Sequence, residues 1–368
     1  MAVPGVIVRP WAASDSLGYD ALLNDAPDAM FNHSRRYLQF LQCVLGAEAA
    51  PCHLVAERDG RLVGALPAFR RDGPYGPVVN SLPFFGSHGG AIVLPHEDCS
   101  VRHALSASFS DYCDSIDAVS STVVESPLGA RSSTATQYRA NWFDDRLGQI
   151  SSLPEAATAT SAEEKVLAQC HSKTRNQVRK GQRAGFEFET DNTITGFQQL
   201  WDLHQQNMVA IGGTVKPWSV FQAVIDTFTA REDYDLYLAK VGSEVAAALL
   251  IFYFKDTVEY FTPAIAANHR SAQPLNATIL HAMVSSIVQR GARNWNWGGT
   301  WRSQDGVYHF KSRWGARDYV YRYHIHSRMS VETVRSIDKR DLIQGYPFFY
   351  VVPFRTIGHV EEALGDHL

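Results

Sequence analysis

Cysteine is scarce in this sequence, and the few cysteines lie far apart. The 368 residues contain five of them, with no Cys-x-x-Cys pair. Disulfide frameworks and thiolate zinc sites both need closely spaced cysteines. We therefore expect neither a disulfide scaffold nor a metal site, and a cytoplasmic location fits this cysteine usage best.

A strong net charge and a long apolar run are also missing. The formal net charge is −4, so any polyanion has to be bound by a local patch rather than by the overall field. The longest apolar run, Val245 to Phe254, is about half of the ~20 residues that span a bilayer. The N-terminus has no basic start followed by an apolar segment. We expect no export, no membrane insertion and no DNA binding.

The chain contains an internal repeat. At 368 residues it is long enough for about two domains. Leu54–Phe69 and Tyr237–Phe252 align without a gap at an offset of 183 residues, and each has the pattern of two strands around a turn. We therefore predict a duplicated domain. Residues 154–164 have linker composition, so the first domain is expected at 1–153 and the second at 165–326.

A basic segment opens the second half. On a helix, Arg175, Arg179 and Arg183 would stack at i, i+4 and i+8, with Lys173 and Lys180 close by. Like charges at this spacing destabilise an isolated helix. The segment is either a site for an anionic partner or a solvated basic face.

The most unusual stretch is 293–320. It contains four of the eight tryptophans, the pair Gly298-Gly299, and Lys311 between Phe310 and Trp314. We interpret it as the floor of an active site, where aromatic walls would partly desolvate the lysine. A buried aromatic core with one snorkelling lysine is the alternative. Ser87 and His88 precede a second Gly-Gly pair, which is either a ligand loop or a glycine-rich strand corner.

The order of elements predicts the fold class. A strand hairpin, a third strand, a long amphipathic helix and a further strand pair make an α+β unit with a mostly antiparallel sheet. The segments QRGARNWNWGGT and GVYHFKSRWGA resemble the C-terminal signature of Fem-type transferases, the tandem-domain branch of the GNAT acyltransferases. HSKTRNQVRKGQRAG resembles their basic helix between the domains. The resemblance covers residues 165–320.

The resemblance implies two tandem GNAT-like domains, each a mostly antiparallel mixed sheet flanked by helices, with a cleft between them. It also implies that the tail at 327–368 returns to the first domain. One departure concerns the donor. Where a CoA-binding GNAT has a glycine-rich phosphate loop, this chain has NHRSAQPLNAT, which contains no glycine.

The resemblance implies transfer of an activated acyl or aminoacyl group onto an amine of a small molecule, sugar or peptide precursor. Aminoacyl-tRNA is the favoured donor because of the missing glycines, and acyl-CoA is the alternative. No tightly bound cofactor is expected. A different class of function is a non-catalytic ligand-binding module with a GNAT-like fold. The sequence carries no indication of oligomeric state.

The expected acyl-transfer reaction assigns roles to individual residues. Lys311, helped by backbone N–H groups of Ala246–Leu249, would stabilise an oxyanion, and Asp305, Glu259 or a water would be the general base. The expected catalytic residues are Lys311, Asp305 and Tyr260. The expected donor-binding residues are Arg175, Arg179, Lys180, Arg270, Phe310, Gly298 and Gly299. The expected acceptor-binding residues are Arg35, Arg36, Ser87, His88, Trp297 and Trp301.

Overall fold

The computed structural model of the protein describes residues 5–84, 86–97, 99–128, 138–301 and 304–357. The chain divides into two compact units. The first contains residues up to Arg146 and those from Val320 onward, and the second runs from Leu147 to Tyr319. In the described parts of the chain, no helix has the length and apolar character that crossing a membrane requires.

The described chain contains both helices and strands, with runs of consecutive strands in each unit. The chain up to residue 152 forms β1 (Ile7–Pro10), α1 (Ser16–Asp25), α2 (Arg35–Leu45), β2 (Ala49–Pro51), β3 (Leu54–Arg58), β4 (Arg61–Leu66), β5 (Phe69–Gly73), β6 (Gly76–Ser81), β7 (Ile92–Val93), α3 (Cys99–Ser115), β8 (Ser120–Val124) and β9 (Trp142–Ser152). It continues with α4 (Ala159–Gln169), α5 (Ser172–Gln182), β10 (Glu187–Thr190), α6 (Ile194–Ile211), α7 (Trp218–Thr227), β11 (Tyr234–Val241), β12 (Glu244–Phe254), β13 (Thr257–Ile265), α8 (Pro274–Arg290), β14 (Asn294–Thr300) and α9 (Asp305–Ser312). The last elements are β15 (Arg317–Ser327), α10 (Val331–Ser336) and α11 (Lys339–Gly345).

The two predicted hairpins occupy equivalent positions in their units. In the first unit the strand order is β1-β3-β4-β7, and in the second it begins β10-β11-β12-β13. All of these neighbouring pairs are antiparallel. Each hairpin also has a register shift at the same place, Ala56/Glu57 in one and Ala239/Lys240 in the other. A β-bulge changes strand twist locally, and its recurrence at the 183-residue offset supports the duplication.

The predicted linker is not the boundary between the units. The boundary lies at Arg146 and Leu147, and most of 154–164 belongs to α4 or leads into it. Thr158 caps this helix with its side chain. Ala162 and Val166, one turn apart, are buried in the core of the second unit. A composition rich in Ala, Thr and Glu therefore forms a packed helix here, because one face of it has a core to cover.

The tail is part of the first unit. Tyr346 is buried and its hydroxyl donates to Gly76 O at 2.9 Å. The Asn80 amide donates to Tyr350 O at 2.8 Å and accepts from Tyr350 N at 2.6 Å. These contacts attach the tail to β6, so the first unit is built from both ends of the described chain.

The predicted strand pair after α8 is wrong in one respect. β14 is followed by a helix, α9, rather than by a partner strand, and β14 pairs antiparallel with β9. Spacing gives the reason: Lys311 and Trp314 are buried three residues apart, a helical interval. Gly315, at φ +74°, follows the end of this turn.

Candidate active site

The second unit contains an opening between two neighbouring strands, β13 and β14. They pair in parallel only at Thr257–Glu259 with Asn294–Asn296. β13 nevertheless runs on to Ile265 and β14 to Thr300. Beyond the Glu259 and Asn296 pair, the described residues provide no strand partner for this side of β13. Backbone donors and acceptors there are available to a ligand.

A side chain from α6 closes the far end of this opening. The Asn207 amide donates to Ile265 O at 2.7 Å and accepts from Ile265 N at 2.9 Å. A neighbouring strand would make the same pair of hydrogen bonds with the backbone of Ile265. The next residue, Ala266, turns its N–H to Ala246 O on the other side. The opening is therefore bounded by Glu259 and Asn296 at one end and by Asn207 at the other.

Glu259 is a buried carboxyl group at the point where the strands separate. Its Oε2 accepts from the Asn296 amide at 2.7 Å, and its Oε1 has no hydrogen-bond partner among the described residues. Burial raises the pKa of Glu259 to about 8, against a smaller opposite effect of the Asn296 hydrogen bond. A carboxyl with a pKa near the working pH and one unused oxygen is suited to general acid–base chemistry.

Asn296 connects Glu259 to the glycine pair. Its Oδ1 accepts from Gly298 N at 3.0 Å while its amide nitrogen holds Glu259. Gly298 has φ +72°, and a Cβ placed there would meet no atom within 4 Å. The glycine is thus needed for its backbone conformation, and the space beside it is open.

Lys311 lies behind the end of β14. Its side chain extends from α9 and is only 6% exposed. The Nζ donates to Thr300 Oγ1 at 2.8 Å and to Gly299 O at 2.9 Å, with a longer contact of 3.5 Å to Gly298 O. Burial lowers the pKa of Lys311 to about 7. Two of its hydrogens hold the strand end firmly, and the third is only weakly engaged.

The predicted aromatic walls form a core rather than a ligand surface. Trp297 is 2% exposed, and its indole N–H donates to Ser151 Oγ at 2.8 Å. Its ring contacts those of Tyr260, Phe310 and Trp314 at centroid distances of 5.0, 5.8 and 5.8 Å. Burial raises the pKa of the Tyr260 hydroxyl, so this group stays neutral. Trp297 therefore positions β14, and the expectation that it binds an acceptor is not supported by its burial.

The predicted base Asp305 and the predicted oxyanion donors of Ala246–Leu249 do not lie where they could serve these roles. Asp305 is exposed at the first turn of α9, whereas Lys311 is buried near the other end of this helix. Ala246–Leu249 lies in β12, which pairs with β11 on one side and β13 on the other. The ladder therefore uses the N–H groups of that segment, and they are not the oxyanion donors. Trp301 follows β14 directly, half-buried.

The basic segment is helix α5, and one face of it packs against α8. Thr174, Val178 and Gly181 are its buried residues. A Cβ at Gly181 would lie 2.6 Å from Gln273 O, so only a glycine allows α5 to approach the start of α8 this closely. Arg179 and Lys180 are exposed beside this contact.

The remaining cations divide into fixed and exposed groups. The Arg175 guanidinium donates to Cys170 O at the end of α4, so Arg175 joins two helices. Arg183 donates from Nε to Arg179 O at 3.1 Å and is exposed. Arg270 is exposed on the short 3-10 helix that precedes α8. The start of α8 thus gathers several exposed cations around a helix N-terminus.

Three of the acceptor residues predicted in the first unit, Arg35, Ser87 and His88, are engaged in an ion pair or in its interior. Arg35 Nε donates to Asp20 Oδ1 at 2.7 Å, and Arg36 follows it at the start of α2. Ser87 and His88 are each 2% exposed. The Ser87 hydroxyl bonds to Tyr37 OH at 2.5 Å.

The His88-Gly89-Gly90 segment is a strand corner. His88 Nδ1 donates to Glu125 O at 3.0 Å, and burial lowers the pKa of the ring to about 4. A Cβ at Gly89 would lie 2.0 Å from Ser81 O. The close backbone approach explains the glycine, so the structural alternative for this Gly-Gly pair is favoured over a ligand loop.

The raised pKa of Glu259 leads to a prediction about stability. Between about pH 4.5 and about pH 8 the folded protein keeps a proton on Glu259 that the unfolded chain releases. The free energy of unfolding should therefore fall as pH rises through this window, by at most about 1.4 kcal/mol per pH unit. Chemical denaturation of the wild type and of Glu259→Gln at pH 5 and pH 8 isolates this contribution. The same pH dependence in both proteins would contradict it.

Among the described residues, no three His, Cys, Asp or Glu side chains are grouped so that they could hold a metal ion. His324, one of two histidines that alternate along β15, instead has its Nε2 2.9 Å from Glu125 Oε1.

Comparisons with known proteins agree with this architecture. Residues 168–312 match the family model described as an acetyltransferase (GNAT) domain. Among solved structures, the chain is similar to FemX, with a TM-score of 0.66, 12% identity, and coverage of 86% of this chain and 96% of FemX. It is also similar to a tandem GNAT protein from the clavulanic acid biosynthesis pathway, with a TM-score of 0.54, 12% identity, and coverage of 88% and 99%. No curated protein sequence matches the chain.

These findings confirm two predictions: the α+β tandem GNAT-like fold class and the resemblance to Fem-type tandem GNAT transferases. The match of residues 168–312 to a GNAT domain agrees with the predicted acyltransferase activity. The similarity to the solved structures concerns the fold.

Proposed function

We propose that this acyltransferase, with its GNAT domain at residues 168–312, transfers an acyl group from an acyl-CoA thioester to a primary amine in the opening between β13 and β14. The observation that carries the proposal is Glu259: a buried carboxyl with an unpartnered oxygen, at the place where these strands separate. The acceptor is an amine of a small molecule, sugar or peptide precursor.

The proposed reaction needs no covalent enzyme intermediate. The amine nitrogen attacks the thioester carbonyl carbon, a C–N bond forms, and Glu259 accepts the proton that the amine loses. The C–S bond of the tetrahedral intermediate then breaks. The thiolate leaves and takes up the proton held by Glu259.

The oxyanion of the intermediate requires donors at the same opening. Backbone N–H groups of β13 that face the opening are suited to this, and Lys311 has one weakly engaged hydrogen near Gly298. In this proposal Lys311 has two roles. It fixes Gly299 and Thr300 through its two short hydrogen bonds, and it places a donor in surroundings of low dielectric.

The start of α8 is the proposed site of the donor's diphosphate. It combines a helix N-terminus with the exposed side chains of Arg179, Lys180 and Arg270. These few cations suit a small, highly charged group. A tRNA would need a longer basic stripe, and one face of α5 is already buried against α8. Acyl-CoA is therefore the proposed donor, in place of the aminoacyl-tRNA that the sequence favours.

A donor experiment tests this choice. Acetyl-CoA added alone should raise the melting temperature, and product formation should depend only weakly on salt. Arg179→Ala with Lys180→Ala should raise the KM for acetyl-CoA about tenfold or more, because charge-assisted bonds to phosphate are lost. Lys173→Ala, about two turns away on the same helix, is the matched control and should behave as wild type. Activity only with aminoacyl-tRNA, with a steep salt dependence, would overturn the acyl-CoA assignment.

A further inference from the structure

A second lysine of the second unit, which is only partly buried, takes no part in the reaction described so far. Lys216 lies in the loop between α6 and α7. Its Nζ donates to Thr262 Oγ1 at 2.9 Å and stands 4.5 Å from the centre of the Phe261 ring. No carboxylate of the described residues pairs with it. Unlike Lys311, it has one hydrogen-bond acceptor for three hydrogens within the part of the chain that the structure describes.

The main chain of Lys216 is held from both sides by α6. Its N–H donates to His204 Nε2 at 3.1 Å, and its carbonyl accepts from Trp201 Nε1 at 3.1 Å. His204 is 4% exposed, and burial lowers the pKa of its ring to about 4, so it remains a neutral acceptor. This arrangement fixes the direction in which the lysine leaves the loop.

A β-bulge places Lys216 on the same face of the sheet as Glu259. Glu259 is opposite Phe252 of β12, and Thr262 is opposite Leu250, because the register shifts between Leu250 and Ile251 and passes over Phe261. Phe252 and Leu250 are two residues apart and so share a face. Without the bulge, positions 259 and 262 would face opposite sides of the sheet.

Keeping the Lys216 ammonium group beside the Phe261 ring without a counter-charge costs free energy. Burial lowers the pKa of Lys216 to about 8. A bound anion would remove this cost. The three residue steps from Glu259 to Thr262 lie opposite only two steps of β12, so they span about 7 Å at ~3.3 Å per step. An acceptor could therefore place its amine at Glu259 and an anionic group at Lys216.

We propose that Lys216 binds the carboxylate of the acceptor, and hence that the acceptor class is an amine whose carboxylate is several bonds away, as in an ω-amino acid or a short peptide. This inference rests on the proposed function for the position of the amine. A single ammonium matches the single charge of a carboxylate better than the double charge of a phosphate monoester. Lys216 acts on affinity and specificity, and Glu259 on turnover.

Binding of 6-aminohexanoate and of 6-aminohexanamide, which lacks the charge, tests the proposal. Trp201 and Trp218 contact each other at 5.8 Å beside Lys216, so tryptophan fluorescence reports on this loop. The wild type should bind the carboxylate at least tenfold more tightly than the amide. Lys216→Met should lose this preference, and Lys216→Arg should keep part of it. Glycine and glycinamide, too short to reach both groups, should show no such preference.

The outcomes separate this inference from the proposed function. Glu259→Gln should retain the carboxylate preference even though it loses turnover. Thermal melts of both Lys216 variants check that they fold. A wild type without preference for the carboxylate, or a Lys216→Met protein that retains it, would overturn the inference. A stronger preference for 6-aminohexyl phosphate than for 6-aminohexanoate would overturn the choice of carboxylate, and acylation of Lys216 itself, detected by mass spectrometry, would overturn its binding role.

Discussion

Replacing Glu259 with Gln is expected to reduce kcat by about 10²- to 10⁴-fold, the usual contribution of a general base. Gln has the same shape and can still accept from the Asn296 amide, which in the wild type lies 2.7 Å from Glu259 Oε2. The variant should therefore fold and bind both substrates. Steady-state kinetics with acetyl-CoA and an amine acceptor, together with a thermal melt, provide the measurement.

The pH profile should identify the same group. Burial raises the pKa of Glu259 to about 8 and lowers that of Lys311 to about 7. The kcat/KM of the wild type should therefore fall above about pH 8, as Lys311 loses its charge, and should rise about tenfold per pH unit up to about pH 7, as Glu259 loses its proton. Glu259→Gln should lose this limb. Asp305→Asn is the matched control, since Asp305 is an exposed carboxylate at the start of α9. A loss of activity in Asp305→Asn but not in Glu259→Gln would assign the base to Asp305.

Lys311→Met is expected to lower kcat by about 10²-fold, the usual effect of removing one oxyanion donor. Methionine fills the space but leaves Gly299 O and Thr300 Oγ1 without the hydrogen bonds that Lys311 gives them at 2.9 and 2.8 Å. The free energy of unfolding should therefore also fall, by about 1–3 kcal/mol. Turnover and denaturation measured on the same protein separate the two effects.

The control for this variant is Lys165→Met, which removes an exposed ammonium bonded to Glu155 O. It should keep wild-type activity and stability. A Lys311→Met protein that loses stability but keeps kcat would show that Lys311 only supports β14. A raised KM for acetyl-CoA at constant kcat would make it a binding residue.

The duplicated hairpins could be predicted from sequence because they are local. Each consists of two adjacent strands joined by a tight turn, and a gapless match over such a segment is visible in the residues. The bulges at Ala56 and at Ala239 lie at the same offset, so the match reflected backbone geometry as well as composition. The domain boundary was misplaced because linker composition does not exclude a helix when a core such as that around Val166 is available to cover it.

The site was only partly predictable because it depends on tertiary structure. The sequence allowed Asp305, Glu259 or a water as the base, and only the separation of β13 from β14 distinguishes the buried Glu259 from the exposed Asp305. The Phe310-Lys311 step could be found from its aromatic setting, since Lys311 does reach Gly298 and Gly299. Lys216 carried no local signal, because its relation to Glu259 is created by a bulge in β13.

The most direct measurement is a crystal structure with acetonyl-CoA, the unreactive thioether analogue of acetyl-CoA. We expect the analogue's carbonyl in the opening between β13 and β14, connected to Glu259 through one water with hydrogen bonds of about 2.6–3.2 Å. We also expect the diphosphate of the analogue at the start of α8, beside Arg179, Lys180 and Arg270. An analogue bound with its carbonyl away from Glu259, or with its diphosphate away from α8, would contradict the proposed reaction centre.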